Sequence, residues 1–179
     1  MFLKDKLLTL RAVEPEDLAW LYEHENDTAL WRFGDTVEPC SRYMLKSYVT
    51  NSNKTIFERH DLRLMMQATE GFVVGTVDLY NFEPLHGRAA LGLLVDAQRQ
   101  GQGYGGSALR LIEDYAVGIL HLHQLYAYIL EQNECCVHLF DKHGYVRTGL
   151  LRDWIRTPQG YADTIVFQKH LTMIDQQVR

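Results

Sequence analysis

The feature that most restricts this chain is a glycine-rich turn, Val95-Asp96-Ala97-Gln98-Arg99-Gln100-Gly101-Gln102-Gly103-Tyr104-Gly105-Gly106. It sits between an apolar run over 91–95 and an amphipathic segment that begins at Tyr104. Beyond Tyr104, apolar residues recur at Ala108, Leu109, Leu111, Ile112, Tyr115, Ala116 and Ile119, with Arg110, Glu113 and Asp114 on the other face. That is helical periodicity, so the turn joins a strand end to a helix start. The first N–H groups of a helix have no internal acceptor and carry the positive end of its dipole. Glycines let the backbone approach a ligand closely. A junction of this kind seats a phosphate or diphosphate, whereas an isolated glycine turn would only reverse the chain. Two patterns compete for it. Residues 101–106 fit G-x-G-x-x-G, which suggests a dinucleotide fold, and Gln98, Gly101 and Gly103 fit Q/R-x-x-G-x-G/A.

The rest of the chain decides between them. Its 179 residues predict a single domain over 1–179 with room for a proper core. No apolar run approaches the roughly 20 residues that span a bilayer. The first ten residues, with Lys4, Asp5 and Lys6, lack a signal-peptide core. Three cysteines, two of them adjacent at 135 and 136, form neither a disulfide framework nor a metal-ligand spacing. A cytoplasmic protein without a metal is expected. The net charge of −5 argues against nucleic acid as a partner, and no membrane partner is expected.

In chain order, Leu8, Leu10 and Ala12 alternate with polar residues as a first strand, and Glu14-Pro15-Glu16-Asp17 reads as a helix start. Leu18, Leu21 and Tyr22 give that helix its buried side. Short helical pieces follow over 29–33, broken by Gly34, and over 41–49; the polar stretch 51–61 reads as a loop. Strands over 62–68, 72–80 and 89–95 form an antiparallel meander. After the glycine turn and its helix come a strand over 124–130, a short helix capped by Asn133 and stopped by Gly144, and two closing strands over 145–154 and 161–168. A dinucleotide fold places its fingerprint in the first strand–helix unit of a parallel sheet. Here helices and an antiparallel meander precede it, which speaks against that reading.

With the turn and this strand order in hand, the segment Asn133-Glu134-Cys135-Cys136-Val137-His138-Leu139-Phe140-Asp141-Lys142-His143-Gly144-Tyr145 is similar to N-x-x-A/S-x-x-x-Y-x-x-x-G-F/Y. Both motifs, at this separation, resemble the GNAT superfamily of N-acetyltransferases over nearly the whole chain, near its spermidine and ribosomal-protein N-terminal branch. The resemblance implies an α+β (α/β/α) fold with a mixed, mainly antiparallel sheet of six to seven strands, and an acetyl-CoA site. Main-chain groups of Leu93, Leu94 and Val95 would pair with the pantetheine arm. Amides of Gln100, Gly101, Gln102, Gly103, Tyr104, Gly105 and Gly106 would hold the diphosphate. Asn133, Phe140 and Lys142 would complete the cofactor contacts.

Acetyl transfer to a primary amine also asks for a proton acceptor, an oxyanion donor and an acid for the departing thiolate. A strand N–H near Leu94 is the expected oxyanion donor. The family's usual tyrosine acid position is Phe140 here, and its usual glutamate position is Ala90. Cys136 and His86 are the candidate stand-ins, with Asp78 and Glu83 nearby. The alternative reading is a catalytically weak or inactive CoA-binding module. Between Glu14 and Glu38 stand eight acids (14, 16, 17, 23, 25, 27, 35, 38) and one arginine, Arg32. That bias suits a polyamine, an amino-acid-like amine or a peptide N-terminus as acceptor. Homo-oligomer formation is compatible with the strand edges.

Overall fold

The structure, a computed structural model, describes residues 3–33, 36–50 and 54–172. Gly34, Asp35 and the first residues of the stretch 51–61 lie outside the described residues. The strands are β1 (Leu8–Arg11), β2 (Leu62–Ala68), β3 (Val73–Glu83), β4 (Arg88–Val95), β5 (Gln124–Leu130), β6 (Val146–Thr157) and β7 (Gly160–His170). The helices are α1 (Leu18–Glu25), α2 (Thr28–Trp31), α3 (Arg42–Thr50), α4 (Ile56–Arg59), α5 (Tyr104–Gly118) and α6 (Glu134–Lys142). The stretch expected as a loop therefore contains α4. Its start was written in the sequence as a capping box, Thr55-Ile56-Phe57-Glu58, in which the Glu58 carboxylate accepts the Thr55 N–H at 2.8 Å.

All strands join one seven-stranded sheet in the order β1-β2-β3-β4-β5-β7-β6. Every neighbouring pair is antiparallel except β4 with β5. That excludes the parallel sheet a dinucleotide fold would need. Alternation along β2 and β3 assigns each face a layer. Leu64, Met66, Val77 and Leu79 pack with Leu109 and Ile112 of α5 and Phe140 of α6. Met65 packs with Leu21 of α1 and Leu45 of α3 on the opposite face. Burying these side chains supplies the dominant stabilisation, about 1.5–3 kcal/mol for each large one.

The entry into α1 is tied to β1 by a buried ion pair. Asp17 is 4% exposed. It accepts Arg11 Nη1 at 2.7 Å and Nη2 at 2.8 Å, and the Glu14 N–H at 2.8 Å. Burial opposes its ionisation, yet those bonds outweigh it and hold the carboxyl below its ordinary value. A lowered pKa contributes stability above the unfolded value near 4, and that contribution is lost as pH falls through the folded value. Asp17→Asn is expected to cost about 1–3 kcal/mol at pH 7. In urea melts the gap between variant and wild type should close below about pH 4; a gap independent of pH would refute the assignment.

Candidate active site

β4 and β5 pair only through Arg88↔Gln124, Ala89↔Leu125 and Ala90↔Tyr126. Beyond Ala90 they part, and one edge of β4 faces a gap. Strand groups alternate sides, and three contacts set which side. The Asp96 N–H donates to the Val74 carbonyl across β3 at 2.9 Å. The Val95 carbonyl accepts Gln100 Nε2 at 3.2 Å, outside the β3 ladder. On the β5 side, the Gly87 carbonyl accepts the His123 and Gln124 N–H groups at 2.7 and 3.1 Å. Main-chain groups of Gly92 and Leu94 therefore serve β3, while those of Leu91, Leu93 and Val95 turn to the gap. This corrects the expected trio 93–95. Leu94 is engaged in the sheet, and the N–H that can meet an oxyanion there belongs to Leu93.

At the end of that gap lies the glycine turn. Gly101 and Gly103 have φ of +76° and +88°, and Gly103 caps α5; a side chain at either would strain the turn. Gly105 and Gly106 serve a different purpose. A β-carbon on Gly105 would lie 3.0 Å from Leu139 Cδ2, and one on Gly106 2.7 Å from His143 Nε2. They let α6 close onto the first turn of α5. Ser107 is the first helical N–H with an acceptor, the Gly103 carbonyl at 3.0 Å. Among the described residues, the N–H groups over 101–106 are donated to no protein acceptor. The Tyr104 ring is buried in the core, so that residue offers the groove its main chain alone. The Gln102 side chain braces the turn through the Gln98 carbonyl at 3.3 Å.

The unpaired strand edge and the bare N–H groups fit a coenzyme A arm and its diphosphate. Asn133 caps α6, its Oδ1 accepting the Cys136 N–H at 3.3 Å. Lys142 is exposed in the last turn of α6. Phe140, expected as a cofactor contact, is instead 1% exposed. Its ring packs on Tyr145 and Phe167 at centroid distances of 4.7 and 5.8 Å, so it belongs to the core.

Neither named proton carrier holds. His86 sits exposed in the 3-10 turn before β4, about 23 Å of strand from Val95. Burial pushes the Cys136 thiol up to about 12. An acid that weak does not serve a coenzyme thiolate, which resembles cysteine with a pKa near 8.5. Glu83 is occupied by Arg88 at 3.0 Å.

A carboxylate cluster lies on the α1 face. Asp78 lies in register with Gly92 on β4 and Arg63 on β2. Arg63 Nε and Nη2 reach the Asp78 oxygens at 2.7 and 3.2 Å, and Arg63 Nη1 bonds Glu25 of α1. Because Gly92 has no side chain, the space above it is shared by Asp78, whose Cβ and Oδ2 would lie 3.6 and 3.9 Å from a β-carbon there, and by the Tyr80 ring at 3.6 Å. Asp78 is one strand spacing, about 4.8 Å, from β4, whose far edge faces the gap. Burial, then the charges of Glu25 and Asp61, raise the Asp78 carboxyl above its ordinary range against the pull of Arg63. Tyr126 and Tyr128, edge to face at 5.7 Å, line the β5 side of the same face. Arg63, Glu25 and this tyrosine pair were missed from sequence. The tyrosines had a signal in the period-two spacing of Gln124–Leu130; the ion cluster, drawn from three distant segments, had none.

What the fold and the groove define together is an acetyl-CoA-dependent N-acetyltransferase. The chain matches the acetyltransferase (GNAT) domain over residues 8–146, and it belongs to that family. It is 27% identical over 146 residues to the spermidine N(1)-acetyltransferase of Vibrio cholerae, covering 80% of this chain and 82% of that one. To the Escherichia coli K12 spermidine N(1)-acetyltransferase it is 28% identical over 142 residues, covering 79% and 74%. The crystal structure of the Vibrio cholerae spermidine N-acetyltransferase with CoA and spermine superposes with a TM-score of 0.83 at 24% identity, over 93% of this chain and 97% of that one. A dodecameric structure of the same enzyme gives 0.79 at 24% identity, over 98% and 100%. These relatives are named as acetyltransferases, and the inert-module alternative finds no support among them.

Proposed function

We propose that the chain acetylates a primary amine of a polyamine, with acetyl-CoA as donor. The observation that supports this is the Glu25–Arg63–Asp78 cluster, on the sheet face opposite α5 and in register with Gly92 of β4. Bound acetyl-CoA supplies a thioester carbon open to attack and a thiolate that leaves. The chain's residues do the rest. A polyamine is protonated at neutral pH, its amine pKa lying near 10, and Asp78 takes that proton directly or through water. With Glu25 and Asp78 sharing one Arg63, the cluster stays net negative and favours a cationic acceptor. The Leu93 N–H donates to the carbonyl oxygen as its charge grows.

Among the described residues no helix is long and apolar enough to cross a membrane, and the reading places the enzyme in the cytoplasm. Exposed Val146 and Trp154 on edge strand β6 suit self-association.

The test has two arms. Calorimetry with acetyl-CoA checks the donor site. Free-thiol release is then followed with spermidine, spermine, lysine and a basic peptide with a free N-terminus. The polyamines are expected to give at least about tenfold higher kcat/KM than the other two, about 1.4 kcal/mol of discrimination. Faster turnover of the peptide would overturn the acceptor assignment.

A further inference from the structure

One titratable side chain at the edge of the glycine turn remains without a role. His143 follows α6, and its Nε2 and Cε1 lie 2.7 and 3.1 Å from where a β-carbon on Gly106 would be. A helical Cα–Cβ bond leans toward the helix N-terminus. The imidazole therefore packs against the first turn of α5, the turn whose N–H groups are unpaired. Arg110 Nη1 approaches the same point at 3.8 Å. Among the described residues neither imidazole nitrogen has a hydrogen-bond partner, yet the residue is firmly held. Its N–H donates to the Leu139 and Phe140 carbonyls at 3.1 Å each. Its carbonyl accepts Lys169 Nζ at 2.8 Å, and Lys169 Nζ also holds Glu113 Oε2 at 2.6 Å.

We propose that His143 is a cofactor-binding residue that takes up a proton when coenzyme A binds, coupling the affinity of the site to pH. This rests on the reading that residues 101–106 seat the diphosphate. The surroundings supply the reason. Arg110 from α5, Lys169 from β7 and Lys142 from α6 all act on the ring with positive charge. The nearby acids are already engaged: Glu113 by Lys169, Asp5 by Ser107 and Arg110, and Asp141 by Arg147. Burial first, then those cations, hold the imidazole below its ordinary value, so it is neutral in the free enzyme at pH 7. A diphosphate arriving at the same helix end reverses the local field. An opposite charge within about 4–6 Å raises such a pKa by about 1–3 units. A higher pKa in the complex than in the free enzyme means proton uptake on binding. Affinity is then greatest at low pH and weakens as pH rises from the lowered value of the free enzyme through the raised value of the complex.

Calorimetry of the full chain with coenzyme A, in buffers of different ionisation enthalpy at pH 6, 7 and 8, reads this directly. Wild type is expected to take up about half a proton or more at pH 7 and to bind about tenfold more weakly at pH 8 than at pH 6. In His143→Leu and His143→Gln the uptake should be lower than in wild type by about half a proton or more. The ligand's own phosphate monoester, with a pKa near 6, acts in the opposite sense and is common to all three proteins. The imidazole signal of wild type, titrated by NMR with and without coenzyme A, gives a reading that needs no variant; a rise of at least about one pKa unit is expected. If wild type binds coenzyme A with the same proton uptake as both variants, or the imidazole pKa does not move, this proposal falls while the site stands. If wild type does not bind coenzyme A, the diphosphate seat falls and takes the proposal with it.

Discussion

Asp78→Asn is expected to lower kcat for polyamine acetylation by about 100- to 10,000-fold, the usual effect of removing a general base. Affinity for acetyl-CoA should stay within about twofold, because Asp78 is on β3 and no group assigned to the coenzyme touches it. The amide is nearly isosteric with the carboxylate and can still accept from Arg63 Nε, now 2.7 Å from Asp78 Oδ1. Arg63 also keeps Glu25 as its partner, so no buried charge is left uncompensated and the fold should persist. Loss of kcat with unchanged coenzyme binding separates a proton-transfer role from damage to the donor site. Steady-state thiol release beside calorimetry measures both. A variant with wild-type kcat would show that the ammonium proton leaves by another route, and Asp78 would revert to anchoring Arg63.

The second large effect concerns the sheet itself. Gly75→Ala is expected to destabilise the protein by about 3 kcal/mol or more, at the upper end of overpacking costs. A β-carbon on Gly75 would lie 2.0 Å from the Leu94 carbonyl oxygen and 3.1 Å from Leu94 C and Val95 Cα. These are main-chain atoms, so no rotamer relieves the overlap; β3 or β4 must shift. Because the displaced segment is the one whose odd-numbered groups face the gap, coenzyme affinity should fall with stability. Gly149→Ala is the comparison. Its nearest neighbour would be Val166 Cγ2 at 3.7 Å, an ordinary contact, and its effect should stay within about 1 kcal/mol, the span of strand propensities. Urea melts of both variants check the contrast; equal midpoints would mean that β3 and β4 do not approach as described.

Much of the architecture was legible because the signals are local. β2 and β5 span the apolar-rich stretches Leu62–Ala68 and Gln124–Leu130 read as strands from the sequence. α5 starts at Tyr104, directly after a glycine whose positive φ suits the cap. Asn133 caps α6 as its side-chain chemistry demands. The α4 turn was missed although its capping box was readable, since its four residues are too short to show a helical period. Phe140 was misplaced for another reason. The family spacing put it at an acid position, but an apolar ring without a hydroxyl gains more from packing on Tyr145 and Phe167 than from facing a groove.

The sequence by itself determined the junction of strand, glycine turn and helix, because backbone conformation and unpaired helix N–H groups depend on a dozen consecutive residues. It determined the faces of individual strands for the same reason. Only the tertiary structure decided that β7 lies between β5 and β6, and that β4 and β5 part after Ala90. It also decided that Asp78 comes to Gly92 beside an arginine from β2, and His143 to Gly106. Each of these meetings joins residues more than ten positions apart, most of them far more. Their closeness is set by which packing of whole layers buries the most apolar surface while satisfying every strand, and no local pattern in the chain encodes that choice.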